Sequence, residues 1–329
     1  MASHAYDVSI VICAYASERW DAICRAVDSV TRQTRPPQEI FVVVDHNTPL
    51  FARARRELEA ATVIENQGPR GLSAARNTGL ACAGGDIVAF LDDDAVASPS
   101  WLEQLLKWYR SWPVVGVGGS IVPLWEAGRP RRFPREFDWV VGCTYAGLPV
   151  TAGPVRNLIG ANMSFRRSAL ISIGGFRGSF GRIGSYPAGC EETDACIRLT
   201  RAAPTRRLVY DPHAVVHHHV PRERTDVRYF SARCYAEGLS KARLAMELGS
   251  TGALASERAY VRRILPRAFA GGIRDLLRGD ESGAGRAGMV ALGFGMTAAG
   301  YAAGRVSFAF PGRNARGGPV DAARRLGST

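Results

Sequence analysis

Apolar residues follow two rhythms along the first half of the chain. Val8–Ala14 is a short, almost unbroken apolar run, the pattern of a strand buried on both faces. Trp20–Thr34 instead spaces Ile23, Ala26, Val27 and Val30 along one helical face until Pro36-Pro37 stops it. Glu39–Asp45 predicts a second strand and Val63-Ile64 a third. Gly71–Gly79 opens another helix, with Ser73 as its expected N-cap, and Asp86–Asp94 gives a fourth strand. This βαβα alternation predicts an α/β fold with a mostly parallel sheet flanked by helices. Farther on, Gly160–Arg167 reads as a strand entering a turn, Gly189–Arg198 as the start of a helix, and Asp211–His219 as a strand.

The chemistry collects at the carboxyl ends of these strands, where open parallel sheets bind their ligands. Asp45 ends the second strand, as a ligand contact or as the cap of the next helix. Asp92, Asp93 and Asp94 end the fourth. Three adjacent carboxylates repel unless protons or a cation neutralise them, and Mg²⁺ or Mn²⁺ suits such oxygens. Arg76, in the helix after the third strand, could face a diphosphate. Glu191 and Glu192 lie in a first helical turn, where the helix dipole favours negative charge, and Asp194 is spaced to pair with Arg198. His217, His218 and His219 are adjacent in a strand, so they cannot all ligate one ion.

Val8–Ala14, Val42–Asp45, Gly71–Gly79 and Phe90–Asp94 followed by Pro99-Ser-Trp-Leu102, in that order, resemble the family 2 glycosyltransferases. The resemblance implies the GT-A fold, a nucleotide-diphosphate sugar donor (UDP-linked above all) and an inverting transfer to an acceptor hydroxyl. It implies that Asp45 holds the base, that Asp92 or Asp93 touches the ribose, and that Asp94 binds the metal. His217 matches a position that contacts the metal or diphosphate, which leaves His218 and His219 structural or exposed. Glu192 matches the proton acceptor of the family's Glu-Asp pair, with Glu191 as its neighbour and second choice. His46 stands where the family usually carries a second aspartate. Pro134-x-Glu136-Phe137-x-Trp139, Val155-Arg-Asn157 and Glu237-Gly-Leu-Ser-Lys241 resemble a narrower group, the glucosyl-dolichyl phosphate glucuronosyltransferases. That implies a hexosyl or glucuronosyl transfer to a lipid-linked or saccharide acceptor.

Composition sets the remaining bounds. With 46% hydrophobic and 22% charged residues over 329 positions, the chain is neither disordered nor fibrous. Seven scattered cysteines without a CxxC pair predict reduced thiols rather than a metal knuckle. The first residues lack the basic n-region of an export signal, so the chemistry is expected at the cytoplasmic side of the membrane. From Ala253 to Thr329, twelve arginines face five acidic residues, a net of +7. Within that tail, Ala287–Gly304 carries no charge, and as a helix it would be about 27 Å long. That approaches the roughly 30 Å of a bilayer core, so a single membrane span is one reading and a soluble helix hairpin the other. Arg262–Arg278, mixing Ile264, Leu265, Phe269, Ile273, Leu276 and Leu277 with five arginines, predicts an interfacial amphipathic helix. The expected layout is a nucleotide-sugar half (1–115), an acceptor half (116–225) and a basic, membrane-associated helical tail (226–329). The aromatic, Arg-rich stretch Trp125–Leu148 fits either an acceptor surface or a packed insertion. A nucleotidyltransferase is the rival enzyme, but Tyr15–Arg19 lacks the glycine-rich phosphate loop it needs. A non-catalytic scaffold on a membrane or nucleic acid would leave the strand-end acids unexplained, and nucleic acid is not an expected partner.

Overall fold

The computed structural model describes residues 6–182, 189–249 and 254–309. The chain divides into two compact units. One comprises Met1–Val122, Pro149–Gly184 and Glu191–His219, and the other Pro123–Leu148, Ser185–Cys190 and Val220–Thr329.

The first unit is built on a sheet. Its strands are β1 (Val8–Ala14), β2 (Glu39–Val44), β3 (Thr62–Glu65), β4 (Ile87–Asp92), β5 (Ala95–Ala97), β6 (Val114–Trp125), β7 (Gly153–Val155), β8 (Asn162–Arg166) and β9 (Arg207–Val220). They lie in the order β3-β2-β1-β4-β8-β6-β9-β5, with β7 paired to β9. The helices are α1 (Trp20–Thr31), α2 (Thr48–Glu57), α3 (Leu72–Cys82), α4 (Trp101–Ser111), α5 (Arg167–Ser172) and α6 (Glu191–Ala202). β1 runs parallel to β2 and β4, and β8 then joins β4 antiparallel. After β1 the chain builds outward through β2 and β3, then returns to β4 on the other side of β1. That reversal opens a crevice at the carboxyl ends of β1 and β4.

Local sequence accounts for most of these elements. The apolar run of β1 is buried almost throughout, because a central strand is covered on both faces. Gly79 lets α3 lie close on the sheet, since a Cβ there would press into Val11 and Val43. Asn47, not Asp45, caps α2, accepting from the Leu50 amide at 3.0 Å. Ser73 departs from its expected role. Helix α3 starts at Leu72, and the Ser73 hydroxyl donates to the Phe180 carbonyl at 2.9 Å.

The second unit is helical: α7 (Val227–Leu248), α8 (Ala255–Ala259), a π-helical turn (Tyr260–Ile264), α9 (Leu265–Leu277) and α10 (Ser282–Ala309). No helix among the described residues is long and apolar enough to cross a membrane, which overturns the spanning reading of Ala287–Gly304. The glycines of that run let helices meet. A Cβ at Gly300 would press into the Tyr235 carbonyl of α7, and one at Gly304 would reach Ala242. The uncharged stretch is thus a helix packed against α7 and α9. Gly300→Val is expected to cost about 1–3 kcal/mol by overpacking, read as a lower thermal midpoint. An unchanged midpoint would mean that α7 and α10 do not meet at Gly300.

Trp125–Leu148 also packs within this unit. Phe133 meets Phe230 edge to face, Phe137 lies tilted against Phe230, Tyr145 meets Tyr260 edge to face, and the Tyr260 hydroxyl donates to the Glu136 carbonyl. Arg129 grips both oxygens of Asp138, at 3.1 and 2.8 Å, and lies over Trp125. For these side chains the packed-insertion reading holds.

Candidate active site

Asp92 closes β4, and the chain turns through Asp93 and Asp94 into β5. β5 pairs antiparallel with β9, which sets Ala95 opposite His218 and Val96 opposite His217. The Asp94 carbonyl accepts from the His219 amide at 2.9 Å. This register carries the His218 ring to Asp94, with Nε2 3.0 Å from Oδ1. One ligand atom from each of Asp92, Asp94 and His218 lies within 4.8 Å of the others. Two carboxylates and an imidazole form a donor set suited to a divalent ion such as Mn²⁺. Asp94 therefore stands where expected. His217 does not join it, because alternation along β9 turns neighbouring side chains to opposite faces, and His218 takes the place. Asp92, one of the two residues expected at the ribose, belongs to this group as well.

Asp93 is buried, and its carboxyl is pushed up to about 7, first by desolvation and then by Asp94 and Asp92. Arg19 opposes that rise. Its Nη1 lies 2.6 Å from Asp93 Oδ1 and 3.1 Å from Asp94 Oδ2. The loop after β1 thus supplies a fixed cation to the triplet. Nothing in the local pattern around Arg19 marks this role, which arises only when β1 and β4 become neighbours.

Asp45 sits at the end of β2 as expected, and it organises the loop ahead of α3. Its Oδ1 accepts from Asn66 at 2.6 Å, and its Oδ2 accepts from the Gly71 amide at 2.9 Å. His46 adopts a left-handed φ of 50°, a region in which His is enriched, and its Nε2 lies 2.9 Å from the Gly68 carbonyl. Both side chains hold the same loop.

Arg76 departs most from expectation. Only 2% of its side chain is exposed. Nη1 donates to Glu191 Oε1 at 2.9 Å, while Nη2 lies 3.4 Å from Asp92 Oδ1 and 3.3 Å from the Gly160 carbonyl. The guanidinium also lies over Phe176. Arg76 therefore ties the Asp92 group to the first turn of α6 rather than standing open to a diphosphate. Arg76→Met would leave Glu191 buried without a counter-charge, at an expected cost of about 3–5 kcal/mol. A chemical-denaturation midpoint within error of the parent would refute this structural role.

Helix α6 begins at Glu191, as the sequence indicates. Cys190, at a φ of 73°, turns the chain into it. Glu191 is buried, and its Oε2 has no hydrogen-bond partner among the described residues. Glu192 is half-buried in the same turn. Asp194 pairs with Arg198 at 2.6 Å, the expected spacing, and with Arg177 at 3.4 Å. The Arg198 and Arg177 pairs fix α6 so that the Glu191-Glu192 turn has a defined place.

The family model described as glycosyl transferase family 2 matches residues 9–174, which run from β1 through the acidic triplet to α5. Glucosyl-dolichyl phosphate glucuronosyltransferase from Haloferax volcanii is 37% identical over 238 residues, covering 71% of this chain and 76% of that protein. The chain belongs to glycosyl transferase family 2. This family 2 glycosyltransferase is also 28% identical to the succinoglycan biosynthesis protein ExoM of Rhizobium meliloti, over 75% of this chain and 78% of that protein. A mannosyltransferase from Pyrobaculum calidifontis, solved with GDP-Man and Mn²⁺, shares its fold with a TM-score of 0.58 at 20% identity. That match covers 91% of this chain and 88% of the other. The GT-A architecture expected from the sequence is therefore present. The chain is a glycosyltransferase that uses a nucleotide-sugar donor.

Proposed function

We propose that this glycosyltransferase moves a hexosyl or glucuronosyl group from a UDP-sugar to a lipid-linked acceptor with inversion at the anomeric carbon. The observation that carries the reading is the Asp92–Asp94–His218 group at the carboxyl end of β4, tied through Arg76 to the turn bearing Glu191 and Glu192. The lipid-linked acceptor is supported by the dolichyl phosphate relative, and a chain working on such an acceptor belongs at a membrane surface.

In this reading Asp45 keeps its loop shaped for the base, and Asp93, braced by Arg19, faces the ribose. Asp92, Asp94 and His218 would hold Mn²⁺ or Mg²⁺, which supplies Lewis-acid neutralisation of the departing diphosphate. Glu192 takes the proton from the acceptor hydroxyl. The hydroxyl oxygen bonds to the anomeric carbon as the bond to the diphosphate oxygen breaks, and the electron pair leaves with the diphosphate. Glu192 is the position that matches the family's proton acceptor, while Glu191 is the counter-ion of Arg76.

Calorimetric titration with UDP and Mn²⁺, repeated after EDTA, tests the donor assignment. Micromolar binding that EDTA abolishes is the expected result. Binding of GDP with none of UDP would reassign the base, and absence of nucleotide binding under both conditions would overturn the reading.

A further inference from the structure

We infer that α9 is a docking face for an anionic lipid surface, an inference that rests on the lipid-linked acceptor proposed above. The buried positions of this helix are Leu265 and Gly272, and Gly272 lies against Gly283 and Ala287 of α10. Its other apolar residues turn away from that packing. Phe269, Ile273 and Leu276 are exposed by 43%, 37% and 39%, and Leu277 by 82%. At helical spacing these four fall within an arc of about 100°. Exposed apolar side chains are ordinary when scattered, but a continuous stripe of large ones on one helix marks an interaction surface.

The charge beside the stripe identifies the partner. Arg267, Arg274 and Arg278 follow it around the helix, with Arg262 and Arg263 in the preceding π-helical turn. Among the described residues none of these five arginines is held in an ion pair or a side-chain hydrogen bond. The one acidic residue of α9, Asp275, is engaged by Arg286. An apolar stripe bordered by cations complements acyl chains beneath anionic headgroups. Residues 310–329 of this chain would be a poor cover, since they carry four arginines, one aspartate and no apolar run.

Flotation of the full chain with vesicles of phosphatidylcholine mixed with phosphatidylglycerol tests the inference, with phosphatidylcholine alone as the comparison. The chain is expected to float with the anionic vesicles, less so at high salt, and hardly with the neutral ones. Phe269→Glu combined with Leu277→Glu should weaken binding at least about tenfold, since both substitutions lie at exposed positions of the inserted stripe. Mn²⁺-dependent nucleotide binding by that variant should match the parent, which shows that it is folded. Unchanged flotation of the double variant, or no flotation of the parent, overturns the inference. A concentration-dependent dimer of the parent that the variant abolishes would assign the face to a second copy, and capture of an acidic protein without vesicle binding would assign it to that class; either overturns the lipid partner. Flotation without nucleotide binding would instead sink the proposed reaction and leave the docking face standing.

Discussion

Glu192→Gln is expected to lower the turnover number by about 10²–10⁴-fold, the share a positioned general base contributes, while UDP binding changes by no more than a few-fold. The amide keeps the size of the side chain and removes its ability to take a proton. Glu192 lies in the first turn of α6. Glu191 beside it is buried against Arg76, so the same change there should act through stability and the shape of the turn. Comparing Glu191→Gln and Glu192→Gln by both thermal midpoint and turnover separates the two roles. Near-parental turnover in Glu192→Gln would remove that residue from the proton transfer.

Asp94→Asn should have its largest effect one step earlier, on donor binding. Its carboxylate meets His218 at 3.0 Å and shares with Asp93 the charge of Arg19. Losing that charge turns one carboxylate of the Asp92–Asp94–His218 group into a weaker, neutral amide ligand and leaves Arg19 paired with Asp93 alone. Outer partners of metal ligands commonly contribute 10–100-fold to affinity, so neutralising a direct ligand should weaken Mn²⁺-dependent UDP binding by at least about 100-fold. His218→Ala should reproduce most of this loss and His217→Ala should not, because only His218 lies opposite Ala95 in the β5–β9 register. The reverse ranking, measured by calorimetry, would return His217 to the metal and contradict the observed pairing.

Residues 123–148 illustrate where composition stops being informative. Trp125, Arg129, Phe133 and Phe137 have the makeup of a sugar- or phosphate-binding surface, and the same makeup serves a packed aromatic cluster. Arg129 is decided by Asp138, nine residues away, whose two oxygens it occupies. Burial raises the Asp138 carboxyl against the pull of Arg129, as befits a structural pair inside the fold.

The sequence alone determined the succession from β1 through α1, β2, β3 and α3 to β4, the strand-end positions of Asp45 and Asp92–Asp94, the start of α6 at Glu191 and the pairing of Asp194 with Arg198. Each of these follows from periodicity or from spacings of a few residues, which the local backbone converts directly into geometry. Helices α2 and α4 and strands β5 to β7 left no signal that the pattern resolved. Only the tertiary structure decided which histidine meets the triplet, because one residue of register in a strand exchanges the faces of His217 and His218. It also turned Arg76 inward to join Asp92 to Glu191, 115 positions apart in the chain, and set Arg19 against Asp93 and Asp94. The uncharged glycine run of α10 has the composition of a membrane segment. It became a helix-packing face because Gly238 of α7 and Gly300 of α10 each remove a side chain where the two backbones meet. Contacts of this kind depend on which partner arrives from elsewhere in the chain, and no local pattern specifies that.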